Sequence, residues 1–464
     1  VQTTHQPFDL IVVGGGAAGF FAAITCAELA AQTASVPVRV LILEKGSRPL
    51  SKVLISGGGR CNLTHACYEP AQLVRYYPRG SVELRSAFAR FQPHDTVAWF
   101  ERRGVALRTE PDGCIFPVSD SSRSIVDCLL QAAQKAGVSL WERSAVAAIE
   151  SISPPIPGDS RAPRFLIRLR PGSQPAQSTR PEMLSTRHIL LATGGDKASM
   201  NLAATLGQAI EPPVPSLFTF TISDPRLDGL AGITLPTVSL RLIGEDGNPA
   251  RIPGVEQQGA LLITHWGLSG PAVLQLSAWG ARWLYDRNYR AALAINWLHP
   301  LTHAQALSEL QAHKKPAENA RHKVASHSPF RHLPQRLWKR LVHACEIAET
   351  HNWGDLSKAA LGRLADELAC GRYTIQGKGP FKDEFVTCGG IRLDTLDFKT
   401  MQSRHIPGLY FAGEVLDIDG MTGGFNLQNA WTTGWIAGSA IAKSIHYDGI
   451  TSTITIAADF SNEM

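Results

Sequence analysis

Phe8–Ala30 reads FDLIVVGGGAAGFFAAITCAELA. The apolar run Leu10–Val13 breaks at Gly14–Gly15–Gly16 and resumes from Ala17 as an alanine-rich stretch, the pattern of a buried parallel strand, a tight turn and a helix. Gly14, Gly16 and Gly19 occupy the G-x-G-x-x-G positions. In that spacing the first glycine serves the turn, the second lets a pyrophosphate approach the backbone, and the third lets the helix lie close on the strand. The helix start then offers the phosphates unpaired N–H groups and a partial positive charge. A second apolar strand, VRVLILEKG over Val38–Gly46, ends at Glu44, where a carboxylate can accept both hydroxyls of an adenosine ribose. Strand, turn, helix, strand and terminal acid predict a dinucleotide-binding unit.

A second glycine cluster lies in LSKVLISGGGRCNLTH, Leu50–His65, where Gly57–Gly59 precede Arg60, Cys61 and Asn62. Three adjacent glycines cost backbone entropy, so something close must need the room. Farther on, AFARFQPHDTVAWFERRG and SSRSIVDCLLQAAQKAG have helical spacing, and WERSAVAAIES, RFLIRLR and RHILLATGG read as strands, the last ending in Gly194–Gly195. The Pro-, Ser- and Arg-rich stretches 153–161 and 171–186 read as surface connections. From about Pro212 alternating strands predict a separate β domain, possibly a barrel, and residues 302–372 read as helical and polar. Strand patterns then return before GLYFAGEVLDIDGMTGGFNLQNA, Gly408–Ala430, which leads into an amphipathic helix. The nucleotide domain is therefore expected to be discontinuous. This return favours FAD over NAD: Glu414 suits the polar chain of the second half, and the helix start near Gly424 suits a ring edge that becomes anionic on reduction.

Length and composition agree with a soluble globular protein. At 464 residues two or three domains are expected, and a formal charge of +5 permits an anionic partner without demanding one. Eight cysteines without a C-x-x-C pair signal neither a metal site nor a disulfide framework, and no apolar run approaches the length of a membrane span. With no signal-peptide pattern at the start, a cytoplasmic protein is expected.

KVLISGGGRCNLTH, FPVSD, LATGG, ITHWGLSGPAVLQLS, VTCGGIRLD and GLYFAGEVLDIDGMTGGFNLQNAW together resemble the bacterial FAD-dependent oxidoreductases of the BaiN/RdsA type, over about Asp9–Ile441. That family includes a bile-acid dehydro-reductase, an aminoacetone oxidase and a ribosomal RNA dihydrouridine synthase. The resemblance implies an α/β fold: a discontinuous glutathione-reductase-type FAD-binding Rossmann domain, an inserted β-barrel-like domain and a small helical domain. The expected segments are 1–205, 206–301, 302–373 and 374–464. It also implies that Gly14, Gly16 and Gly19 with Glu44 hold the ADP half, that Gly59, Arg60, Cys61 and Asn62 line the flavin, that Glu414 takes the ribityl chain, and that Gly424, Phe425 and Asn426 meet the ring edge. Ala18, Lys45, Val146, Thr193, Gly194 and Gly413 complete the expected cofactor contacts. Where the family pattern has Gly-Arg before the apolar residue of the FP loop, this chain has Gly113–Cys114.

Two side chains are candidates for acid chemistry. Cys61 could protonate a substrate carbon or form an adduct if Arg60 lowers its pKa, or it could be a small side chain packed under the flavin. His265 is either a general acid or a hydrogen-bonded structural histidine, while Ser269 reads as a helix N-cap before Gly270–Pro271. Between Lys314 and His343, Lys314, Lys315, Arg321, Lys323, Arg331, Arg336, Lys339 and Arg340 face one acid, Glu318, with Phe330 and Trp338 interleaved. This is either an RNA-contacting surface or a solvated helical face. The expected activity is reduction of a conjugated C=C bond by hydride from flavin N5, with NADH or NADPH as transient donor and ribosomal RNA uridine as one substrate. A small-molecule enone reductase, an amine oxidase and a non-catalytic flavin-binding sensor are the alternatives, and no metal is expected.

Overall fold

The structure is a computed structural model that describes residues 6–32, 37–152, 162–172, 180–379 and 386–461. The chain forms two compact units, residues 1–213 with 387–464, and residues 214–386.

The first unit is built on five parallel strands: β1 Phe8–Val13, β2 Val40–Leu43, β3 Ser139–Trp141, β4 Met183–Leu191 and β5 Leu409–Phe411, in the spatial order β5-β4-β1-β2-β3. The apolar runs of β1, β2, β4 and β5 are buried on both faces, as parallel strands require, whereas edge strand β3 is partly exposed. Register decides where the site lies. Val13 pairs with Leu43 and with Leu191, and Leu191 pairs with Phe411. Four strands therefore end at one level, and Gly14, Glu44, Ala192 and Ala412 leave the sheet side by side, at the carboxyl edge where open α/β sheets bind ligands. β4 begins earlier than the sequence suggests. Met183–Thr186, expected within a connection, pair antiparallel with Phe165–Arg168, which extends the strand beyond the apolar run. Of the two expected connections, residues 153–161 and 173–179 lie outside the described residues.

Helix α1, Ala17–Ala31, packs against α2, Phe425–Ser461, and this contact joins the two ends of the chain. It is close because α2 carries glycine where α1 crosses it. A Cβ on Gly434 would lie 2.7 Å from the Ala18 carbonyl oxygen, and one on Gly438 2.4 Å from that of Ala22. Beside the crossing, Phe21, Phe91, Trp99, Phe100 and Trp431 form an aromatic cluster.

The second unit is an antiparallel sheet whose ends meet. Gly371–Ile375 pairs with Ala291–Asn296 at one end of the strand order, and the next residues, Gly377–Lys378, pair with Phe220–Thr221 at the other. One segment thus closes the seven-stranded sheet on itself as a β-barrel, which removes the exposed edges. Helices between residues 303 and 370 share a single apolar core with the barrel, and Trp297, Trp338 and Trp353 are fully buried in it. Ser269, expected as an N-cap, ends the strand Gly267–Ser269; Gly270, with φ +100°, takes the cap of Pro271–Trp279.

His188, on β4, is buried, and neither ring nitrogen has a hydrogen-bond partner among the described residues. Burial, aided by Arg187 and Arg164, pushes its pKa from 6.5 down to about 3. The folded protein therefore refuses a proton that the unfolded chain accepts. Stability from this group is complete above pH 6.5 and is lost as pH falls towards 3, at about 1.4 kcal/mol per pH unit. Urea unfolding at pH 7.0 and at about pH 5.5 is expected to show this loss, and His188→Leu is expected to remove that part of the difference. An equal pH dependence in the variant would refute the assignment.

Candidate functional site

At the carboxyl edge the three motif glycines have separate physical reasons. Gly14 has φ +114°, and a Cβ there would lie 2.3 Å from the Ala192 carbonyl oxygen. A Cβ on Gly19 would lie 2.0 Å from the Gly14 carbonyl oxygen, so the helix could not sit on its strand. Gly16 differs: no atom lies within 4 Å of its Cβ position, and no side chain caps α1 there. Next to this opening, the Glu44 carboxylate accepts from the N–H of Gly15 at 2.9 Å and of Gly46 at 2.6 Å, and each oxygen keeps a further lone pair. The Ser144 N–H bonds to the Glu44 carbonyl at 2.8 Å, so the strand that starts at Val146 departs from beside Glu44. Lys45 is exposed and pairs with Asp196 at 2.6 Å.

The ends of β4 and β5 supply the middle of the site. The Thr193 hydroxyl is buried without a partner among the described residues. Gly194, with φ +75°, faces Glu414 and Lys52, and Glu414 pairs with the Lys52 ammonium at 2.6 Å. Gly413, with φ +78°, packs on Ala18, and its N–H donates to Thr433 at 2.9 Å.

The loop before Arg60 meets the start of α2 at the far end. Gly57, Gly58 and Gly59 all have left-handed φ, between +57° and +86°. At Gly57 a Cβ would also strike the Asn62 backbone nitrogen at 2.7 Å, whereas Gly58 and Gly59 face space free of protein atoms within 4 Å. Asn62 turns its side-chain oxygen to the Gly424 backbone, and that oxygen is buried without a partner among the described residues. Phe425 is stacked with Tyr76, centroids 4.2 Å apart, and with His65 at 4.8 Å. Asn426 clasps Gly420: its side chain donates to the carbonyl at 2.7 Å and accepts from the N–H at 2.8 Å. Behind it Gln428 is fully buried; its oxygen accepts from Thr64 at 2.5 Å and Thr96 at 2.9 Å, and its nitrogen donates to Thr432 at 3.0 Å.

Cys61 corrects an expectation. Arg60 does not lower its pKa, because the guanidinium is engaged by Glu110 and Asp120 and lies over the Phe116 ring at 4.1 Å. The thiol is fully buried, and burial pushes its pKa up to about 12, against a smaller opposing effect from Ser56. It stays protonated through neutral pH. Iodoacetamide at about pH 8, half a unit below an ordinary thiol pKa, is expected to leave Cys61 unlabelled in the folded protein while labelling exposed Cys370. Peptide mass spectrometry checks this, and labelling of Cys61 at a rate near that of Cys370 would contradict it. Cys114, in the position of the family arginine, lies against Asn62, and burial pushes its thiol up to about 11. His265 stands exposed in the second unit, in the bend between Glu256–Ile263 and Gly267–Ser269.

Sequence reasoning singled out none of Lys52, His65, Tyr76 and Gln428. Lys52 and His65 lie inside the quoted glycine-loop motif, so their proximity to Arg60–Asn62 was a usable signal. Gln428 likewise lies inside the quoted Gly408–Ala430 stretch, two residues past Asn426, whereas Tyr76 carries no such local mark.

The geometry fits a long dinucleotide. Two buried oxygens without partners among the described residues, on Asn62 and Thr193, accompany the glycine openings at Gly16 and at Gly58–Gly59. Fold and site define a Rossmann-type protein with a dinucleotide-sized edge. The chain belongs to the HI0933-like family, whose Rossmann-domain model matches residues 8–440. This is the family that the motifs resemble, and the protein is an FAD-dependent oxidoreductase. It is 31% identical over 441 residues to "Ribosomal RNA dihydrouridine synthase" of Escherichia coli (strain K12), covering 93% of this chain and 97% of that protein. It is 28% identical to the Haemophilus influenzae protein of the same name, covering 94% and 99%. Similarity extends to "3-dehydro-bile acid delta(4,6)-reductase" of Clostridium scindens, 27% identical over 93% of this chain and 98% of that protein. Among the described residues no helix is long and apolar enough to cross a membrane.

Proposed function

We propose that the protein reduces uridine to dihydrouridine in ribosomal RNA, with NADH or NADPH as electron donor. The observation that carries this reading is the likeness, over 93% and 94% of the chain, to two proteins named for that reaction. The chemistry is consistent with it. The C5=C6 bond of uracil is conjugated to the C4 carbonyl, so hydride adds at C6 and a proton at C5, while NAD(P)H becomes NAD(P)+. Bound FAD would supply the two-electron relay between donor and double bond.

The chain's own residues hold and orient. Gly14, Gly16, Ala18, Gly19, Glu44 and Lys45 would receive the ADP half, and Val146, Thr193, Gly194, Gly413 and Glu414 the middle. Gly59, Arg60, Cys61, Asn62, Gly424, Phe425 and Asn426 would surround the ring. The unpartnered Asn62 oxygen is an acceptor in want of an N–H. The Cys61 thiol keeps its proton, so it would act as a weak proton donor or as packing, never as a thiolate nucleophile, and His265 is the other proton source in this reading.

A second reading, reduction of a small-molecule enone, is favoured by the equally extensive likeness to the bile-acid reductase. Anaerobic reduction by NADH and NADPH, then reoxidation with unmodified ribosomal RNA or with a steroid enone, separates the two. Dihydrouridine formation is the expected result. Reoxidation by the enone alone would overturn the RNA reading.

A further inference from the structure

One surface of the second unit gathers four basic side chains around a cleft. The helix Gln335–Ala344 has two faces: Leu337, Trp338, Leu341 and Val342 are buried, while Arg336, Lys339, Arg340 and His343 lie along the exposed side at helical spacing. These four line a cleft of about 340 Å³ whose opposite wall is the turn Asp228–Leu230. Arg336 donates to the Gly229 carbonyl, and Arg340 to the Asp228 carbonyl at 3.0 Å. Each guanidinium is thereby aimed by one N–H, and its remaining donors have no partner among the described residues.

The turn is itself braced. Arg226 pairs with Asp224 at 2.6 Å and with Glu367 at 2.9 Å, and its guanidinium lies 3.7 Å over the Tyr373 ring. Gly229 has φ +71°, which sets the direction of the carbonyls that hold the arginines. At the rim Lys339 holds Glu349 at 2.8 Å, and this bond, with His343 and Lys323 adding, keeps that carboxylate below its usual range. Arg336, Lys339 and Arg340 outnumber the two carboxylates of the lining, Asp228 and Glu349, so the cleft keeps a net positive charge.

The cleft offers no exposed Phe, Tyr or Trp ring for a base, and its one ring is the His343 imidazole. Phe330 and Trp338, interleaved with the basic residues in the sequence, are buried in the core. Of the other cations in this stretch, Lys314 is spent on the Leu356 carbonyl.

We infer that this cleft grips the phosphate backbone of an RNA substrate independently of its sequence, Arg336 and Arg340 being the anchoring donors. This deepens the uridine reading and depends on it. Fixed guanidinium forks suit phosphate oxygens, and no Phe, Tyr or Trp platform lines the cleft to stack a base.

The test is binding of the FAD-loaded protein to unmodified ribosomal RNA, poly(U) and poly(A) across a range of salt. For Arg336→Ala/Arg340→Ala the slope of log Kd against log salt is expected to fall by about 1.4, two phosphates at about 0.7 each. Affinity is expected to drop at least ~10-fold, by a similar factor for all three polymers. Arg336→Lys/Arg340→Lys is expected to restore most of the slope, which a merely misfolded variant would not allow; melting temperature and FAD content check folding directly. Unchanged slope and affinity in the alanine variant would overturn the cleft while leaving the uridine reading in place, and so would a loss confined to one polymer. If the wild-type protein bound no RNA, both would fall together.

Discussion

Gly16→Ala is expected to give a folded protein that has lost its FAD, and Gly19→Ala a protein whose first unit does not fold. Both add one methyl group to the same glycine motif, three residues apart, yet they meet different surroundings. At Gly16 the new carbon has no protein atom within 4 Å, so packing and stability stay as they were. It occupies the opening where a pyrophosphate would lie against the N–H groups of α1. A loss of FAD affinity of about 100-fold, roughly 2.7 kcal/mol, is expected. At Gly19 the carbon falls 2.0 Å from the Gly14 carbonyl oxygen and 3.2 Å from Val12, both on fixed backbone or core. Relief requires α1 to lift from β1, at a cost of about 3 kcal/mol or more. Flavin absorbance after desalting and thermal unfolding measure the two effects. Retention of FAD by Gly16→Ala at wild-type affinity would show that the opening is not the pyrophosphate site.

The second large effect is expected at a buried ion pair. Asp419 is fully buried and forms a charged pair with Arg79, itself mostly buried. Asp419→Ala would leave a guanidinium in a low-dielectric interior without this counter-charge, at a cost of about 3–5 kcal/mol. The double change Arg79→Met/Asp419→Leu removes both charges and is expected to be far less costly than the single one. The location gives the pair a functional reach. Asp419 belongs to the loop that ends at Gly424, and that loop is tied to the segment before Arg79 by the Met421 N–H to the Tyr76 carbonyl, 2.8 Å. Urea unfolding of both variants, with FAD retention measured alongside, checks the claim. A single variant as stable as the wild type would mean the pair contributes nothing.

The strand–turn–helix at the start of the chain could be read directly because every constraint in it is local. Buried β1 demands an apolar run, the turn demands glycine at Gly14, and α1 follows within three residues. The C-terminal return was readable for the same reason, as were the glycines beside Glu414 and Gly424. Other features came from partners far along the chain, which no local pattern encodes. Cys61 beside an arginine looks like an activated thiol until Glu110 and Asp120, about fifty and sixty residues on, claim the guanidinium and the core closes over the sulfur. Trp338 among basic residues looks like a stacking platform until the barrel buries it.

Sequence alone determined the strand–turn–helix unit, the return of the chain to complete it, and the glycines at its turns, because spacing and side-chain size act within a few residues. Only the tertiary structure decided which strand closes the barrel, which thiol keeps its proton, and which cations share a cleft. Burial, charge pairing and register are properties of residues brought together from distant positions, and their energies exist only once the chain has folded.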